Sequence, residues 1–194
     1  MTETSASLLE RLRERPGPTD WKRFVDLYTP WIRDWLLRQQ IQQHDADDIT
    51  QDVLMAVVQE LPKFHYDPKQ GKFRTWLRTI MVNRLRAFRK SQRFHATAAG
   101  GSAAADFIEQ LADPVSDLSR QWDLEHDAYL MRRAMTLIEH EFKPDTWRVF
   151  QRVVIEGQPP ERVAEEFGIT RNAVYIAQSR VLSRLRQELK GLCD

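Results

Sequence analysis

The stretch from residue 160 to 190 constrains this chain most, because it carries the residue types that a close crossing of two helices demands. Such a crossing needs a small residue midway along the first helix, a glycine able to take positive φ at the turn, and an apolar residue that plugs the second helix into the core. Ala164, Gly168 and Val174 stand at those three positions. Val163, Phe167 and Ile169 around them are apolar, Thr170 is placed to cap the second helix, and Val181 and Leu185 continue the stripe begun by Val174. The spacing predicts a helix-turn-helix whose second helix begins near Thr170.

The opposite face of that helix carries Asn172, Tyr175, Ile176, Ser179, Arg180 and Ser183, with Arg171 at its N-terminal end, where base edges are usually met. Arg171 and Asn172 can make bidentate contacts with guanine or adenine, whereas Arg180, Arg184 and Arg186 suit phosphates. The expectation is a surface that binds duplex DNA; an ordinary helical hairpin with a solvated basic face would carry much the same pattern.

A net charge of only +1, from 29 Lys and Arg against 28 Asp and Glu, argues against a nucleic-acid partner until the charges are placed. Residues 72–93 hold Lys72, Arg74, Arg78, Arg84, Arg86, Arg89, Lys90 and Arg93 and no acid. Residues 42–60 hold Asp45, Asp47, Asp48, Asp52 and Glu60 and no Lys or Arg. Two opposite electrostatic faces are therefore expected. Cys193 is the single cysteine, so neither an intrachain disulfide nor a cysteine-based metal site can form. Glu3 and Glu10 lie where a signal peptide would be basic and apolar, and no apolar run approaches the ~20 residues that span a bilayer. These features predict a cytoplasmic protein.

Apolar residues recur at helical spacing throughout, and no stretch alternates with period two. Phe24, Leu27, Tyr28, Trp31, Ile32, Trp35 and Leu36 define one helix, with Thr19 or Asp20 as N-cap and Pro30 expected to kink or split it. A second helix is expected to start at Asp45 and bury Ala46, Ile49, Val53, Ala56 and Val57 before Pro62 ends it. After a loop over 63–71, a long helix over 73–93 turns Phe73, Leu77, Ile80, Met81 and Phe88 inward.

Residues 95–121 are rich in Ala, Gly and Ser, a composition that suits a flexible linker with at most a short helix near Phe107 and Leu111. Further helices are expected over 122–141, 146–156, 160–167 and 170–190. The predicted class is all-α, with two small helical domains, 1–94 and 122–194, joined by the linker.

On the 73–93 helix, Trp76, Thr79, Asn83, Arg86 and Lys90 share one face, placing an aromatic ring, an amide and two cations together. That mixture suits a nucleic-acid strand, and in the preceding loop Phe64 and Tyr66 add rings for an unstacked base and Lys63 a cation. A surface helix with a partly buried Trp shows the same pattern. On the acidic helix, Asp48, Gln51, Asp52, Met55 and Gln59 line the side opposite Ile49 and Val53. A polar, acidic stripe around one methionine suits either docking on a basic protein partner or plain solvation. No metal site is expected from these acids, since two fit helix-start roles and no glycine-bearing calcium loop follows. Neither a phosphate-binding glycine loop nor a histidine beside a nucleophile appears, so no enzyme and no cofactor is expected.

The acidic helix reading Asp45 Ala46 Asp47 Asp48 Ile49 Thr50 Gln51 Asp52 Val53, the basic helix with Phe73 Arg74 Thr75 Trp76 Leu77 and Asn83, the linker and the terminal helix-turn-helix together resemble bacterial sigma factors of the extracytoplasmic function type, from about residue 21 to 189. The resemblance implies that Asp48, Gln51 and Asp52 dock on the clamp helices of core RNA polymerase, with Met55 on the same stripe. It implies that Trp76, Asn83, Arg86, Arg89 and Lys90 engage the minus-ten element and its melted non-template strand. Arg171, Asn172, Tyr175, Ser179 and Arg180 would read the minus-thirty-five element. Ala87, where an acid is common, and Gln178, where an apolar residue is common, depart from the family pattern.

The expected function is promoter-specific initiation, with core RNA polymerase and promoter DNA as partners and an anti-sigma factor as a further candidate. A stand-alone helix-turn-helix regulator and a helical interaction protein without DNA function are the alternatives. A simple regulator has no need of the acidic docking face.

Overall fold

The computed structural model describes residues 8–14, 16–64, 73–95, 101–190 and 192, and everything described is helix or short connection. In chain order the helices are α1 (Leu8–Glu14), α2 (Pro18–Arg38), α3 (Gln43–Glu60), α4 (Phe73–His95), α5 (Gly101–Ala112), α6 (Asp117–Ile138), α7 (Pro144–Phe150), α8 (Pro160–Phe167) and α9 (Arg171–Leu189). The all-α class read from periodicity is what the chain adopts. The described residues fall into two compact units, one within Ala6–Leu130 and one within Met131–Lys190.

The first unit is built on α2. Its helical repeat buries Phe24, Tyr28, Trp31, Ile32, Trp35 and Leu36, which meet Ile49, Val53, Ala56 and Val57 of α3 and Phe73, Leu77, Ile80 and Met81 of α4 in a core closed to solvent. The Phe24 and Tyr28 rings stack at 4.5 Å, and the Phe73 ring meets both edge-on, 6.2 and 5.9 Å away. Pro30 neither splits nor ends α2. It is exposed, so the carbonyl that loses its amide partner faces water.

The N-caps of α2 and α3 lie two to three residues before the expected ones. Gly17, in extended conformation, precedes α2, and Asp20 sits at the third helical position, where its carboxylate accepts from the Gly17 amide at 3.4 Å. Asp20 also pairs with Arg11 of α1 at 2.8 Å, which holds its carboxyl below the usual carboxylate range. Helix α3 begins at Gln43, with no side chain capping it, so Asp45 lies in its first turn.

The segment read as linker contributes more structure than its composition suggests. Helix α5 spans Gly101–Ala112 and buries Ile108 and Leu111, and the first half of α6 buries Ser119, Trp122 and His126 within the first unit. The Trp122 ring lies 4.4 Å from Trp31 and 4.7 Å from Trp35. A polar network runs beside these rings. Arg78, only 5 % exposed, donates to the Ser119 carbonyl at 3.0 Å and to Asp123 at 2.9 Å, and Arg74 pairs with Asp123 and Asp127. These contacts explain why the compact unit extends to Leu130, past the expected domain boundary in 95–121.

In the second unit Val149, Val163, Ala164, Val174 and Ala177 form the buried centre, with Val153 and Phe167 packed against it. Helix α7 passes into a five-residue π-helical segment, Gln151–Ile155, within the single helix expected over 146–156. Helices α8 and α9 follow with the bounds expected from the sequence to within one residue.

Candidate functional site

The turn between α8 and α9 has the chemistry its residues require. Gly168 takes φ +62°, a left-handed conformation that a side chain disfavours, and its amide and that of Ile169 donate to the carbonyls of Glu165 and Ala164 at 3.3 and 3.0 Å. The Thr170 hydroxyl accepts from the Ala173 amide at 3.2 Å and caps α9. Ala164, Val174, Ala177, Val181 and Leu185 are buried. This packing turns Arg171, Asn172, Tyr175, Ile176, Ser179 and Arg180 to solvent on one side of α9, Tyr175 and Ile176 with over 40 % of their surface open.

Arg171 is held as well as exposed. Its Nε lies 3.0 Å from a carboxylate oxygen of Glu161 in the first turn of α8, its Nη2 and Nε donate to the Tyr175 hydroxyl at 3.0 and 3.2 Å, and its guanidinium lies over the Tyr175 ring at 5.5 Å. The Tyr175 hydroxyl, and then the Glu161 charge, push the pKa of Arg171 above its ordinary value. Glu161 was not singled out by the sequence, which marks it only as an acid ten residues before Arg171.

Arg184, expected to suit phosphates, is engaged within its own chain. It donates to both oxygens of Glu141 at 2.7 and 2.8 Å and to Glu188 at 3.0 Å, so two acids of its own chain already engage it. Glu141 is 43 residues away in sequence, beyond the reach of any helical-spacing argument. Arg186 remains exposed beside it.

On α4, Thr79, Asn83, Arg86 and Lys90 are exposed along one side, opposite Leu77, Ile80, Met81 and Leu85. Trp76 is half-buried, 4.8 Å from Phe64 and 5.4 Å from Phe73. Phe64 is therefore engaged in packing rather than standing free to receive a base, and Tyr66 lies outside the described residues. The basic face is also narrower than the run of cations implies. Arg74 and Arg78 turn inward to Asp123 and Asp127, Arg84 lies 3.9 Å from Glu60, and Arg86 pairs with Glu109 of α5 at 2.9 Å. Arg89 is half-buried, and Lys90 is exposed.

On α3, Asp48, Gln51, Asp52 and Met55 all face solvent, and Met55 keeps 54 % of its surface open. Val58 extends this side with a second exposed apolar group. Asp48 and Gln51 also border a shallow groove between α2 and α3, with Thr29, Arg33 and Leu54 on its walls. Among the described residues no group of acids, histidines or cysteines is placed to hold a metal ion, and no helix is long and apolar enough to cross a membrane.

Residues 24–94 match the family model described as Sigma-70 region 2. The match takes in most of α2, all of α3 and all but the last residue of α4, the elements that carry the exposed acidic side and the mixed aromatic and cationic side. A region of this kind supports a sigma factor, a class that acts in promoter-specific initiation of transcription, binds core RNA polymerase and promoter DNA, and in general has no enzymatic activity. No curated protein and no solved structure matches the chain.

Proposed function

We propose that the chain is a sigma factor of the extracytoplasmic function type that joins core RNA polymerase through α3 and reads a promoter at two places. The exposed stripe of Asp48, Gln51, Asp52 and Met55 on α3 docks on a basic, helical surface of the polymerase. The side of α4 that carries the exposed Asn83, Arg86 and Lys90 and the half-buried Trp76 and Arg89 engages the minus-ten element, and Arg171, Asn172, Tyr175, Ser179 and Arg180 of α9 read the minus-thirty-five element.

The observation that carries the reading is the presence, on one chain, of the region 2 match over 24–94 and a second unit with a fully formed helix-turn-helix. A stand-alone regulator accounts for the second feature and leaves the first without a use. The division by role is a polymerase- and minus-ten-binding part over 1–94, a connection over 95–121 that includes α5, and a minus-thirty-five-binding part over 122–194, of which residues 122–130 pack with the first compact unit. Cytoplasmic action and the option of an anti-sigma partner belong to the same proposal.

The stripe is tested by the double variant Asp48→Arg, Gln51→Ala. Both residues are exposed, so its melting temperature should match the parent's. Co-purification with core RNA polymerase should be lost, because a cation placed opposite a basic partner adds repulsion where attraction stood. Binding at the parent's level would reject the docking face.

A further inference from the structure

We infer that Glu161 is a positioning and specificity residue for Arg171: it fixes the guanidinium beside Tyr175 and denies it to phosphates, so that Arg171 selects a guanine. The inference rests on the proposal that α9 faces duplex DNA, and it assigns a role to an acid on the preceding helix.

Stability does not account for the pair. Arg171 and Glu161 keep 60 % and 54 % of their side-chain surface exposed, and pairs that open to water contribute little to folding. Nor does affinity, since an acid beside a DNA-reading helix repels the phosphate backbone and cancels a cation that would otherwise release counterions. What remains is selectivity, which arises when contacts with the wrong partner are made costly.

The geometry gives that role a mechanism. Nε gives its hydrogen to the Tyr175 hydroxyl with the Glu161 carboxylate 3.0 Å away as a charge partner, Nη2 gives one hydrogen to the same hydroxyl, and the guanidinium carbon lies 5.5 Å from the centre of the Tyr175 ring. Among the described residues no group bonds Nη1. The two Nη1 hydrogens and the second Nη2 hydrogen therefore remain for the N7 and O6 acceptors of a guanine edge. An arginine held this way loses less rotamer freedom on binding than a free one. A phosphate approaching the same guanidinium meets the Glu161 carboxylate 3.0 Å from Nε and is repelled.

The test uses the full chain assembled with core RNA polymerase and a duplex pool randomised over the upstream element, with binding measured across a salt series. The proteins compared are the parent, Glu161→Gln, Arg171→Ala and the double variant. Glu161→Gln should bind the unselected pool several-fold more tightly, with a salt slope steeper by about one. Its preference for guanine should fall about tenfold at the single position that Arg171→Ala also relaxes. In the Arg171→Ala background the glutamine should change preference at no position. A purely structural role would lower the melting temperature and weaken every position alike, so a loss confined to one base pair separates the two. An unchanged guanine preference and salt slope in Glu161→Gln, with the Arg171-dependent position intact, would overturn the inference alone. A parent without upstream preference, or one whose preferences survive Arg171→Ala, would overturn the DNA-facing reading of α9 and the inference with it.

Discussion

Arg184 of α9 grips Glu141 with two parallel hydrogen bonds, Nε to one carboxylate oxygen at 2.7 Å and Nη2 to the other at 2.8 Å. Both side chains are about one-third exposed, and Glu188, only 14 % exposed, takes the remaining end of the fork. The pair ties α9 to the short turn that follows α6, and with Glu188 it forms a small network instead of an isolated surface ion pair. Arg184→Ala should lower the stability of the C-terminal unit by about 1 kcal/mol, the upper part of the range for half-exposed pairs. DNA binding should keep its salt slope, because no phosphate contact is removed. Denaturant unfolding and a salt titration on the same variant check both; a slope reduced by about one would restore Arg184 as a phosphate ligand.

Trp122 gives the strongest stability prediction. It is fully buried and its ring meets Trp31 and Trp35 at 4.4 and 4.7 Å, so it is the main apolar contact through which the first half of α6 joins the unit within Ala6–Leu130. Trp122→Ala leaves a cavity lined by two indoles and should cost about 3 to 5 kcal/mol. Urea unfolding followed by far-ultraviolet circular dichroism measures the loss. A cost within ~0.5 kcal/mol, as at an open surface, would show that this part of α6 is a loose connection.

His126 makes the first unit sensitive to acid. The imidazole is fully buried, 3.3 Å from the Tyr28 hydroxyl through Nε2 and 3.0 Å from Asp127 through Nδ1. Burial pushes it below its ordinary value of 6.5, and the bond to Asp127 opposes this only in part. Its folded pKa therefore lies below its unfolded one, and between the two the unfolded chain binds the extra proton. Stability should be full above pH 6.5 and fall as the pH drops from there toward the depressed folded value. The Asp20 carboxyl, held low by Arg11, adds its own loss only at more acid pH, below its ordinary 3.8. In His126→Gln, melting temperatures followed from pH 7 down to about pH 2 should lose the first fall and keep the second, below pH 3.8. An unaltered profile would assign the acid sensitivity elsewhere.

What the amino-acid order revealed follows the range of the interactions involved. The α8–α9 turn was legible residue by residue because Ala164, Gly168, Thr170 and Val174 act within ten positions of one another. The buried sides of α2, α3 and α4 were legible from periodicity for the same reason. The partners of several cations stayed hidden because they lie far along the chain: Arg78 finds Asp123 45 residues away, Arg74 finds Asp127 53 away, and Arg184 finds Glu141 43 away. No local pattern announces such pairs. The Ala- and Gly-rich stretch before Trp122 hid the length of α5, expected only as a short helix near Phe107 and Leu111, because the helix is held by Ile108 and Leu111, which are buried in the unit. The exposed stripes on α3, α4 and α9 appear where spacing put them, and the acids that restrain Arg86 and Arg171, namely Glu109 and Glu161, emerged only from the fold.

Transcription reconstituted from core RNA polymerase, this chain and genomic template, with the 5′ ends of the transcripts mapped, is the measurement closest to the central proposal. Start sites absent with core enzyme alone should appear with the chain present and share two upstream sequence elements. They should vanish with Asp48→Arg, Gln51→Ala. Transcripts indistinguishable from the core-only background would contradict the assignment of a promoter-specificity subunit.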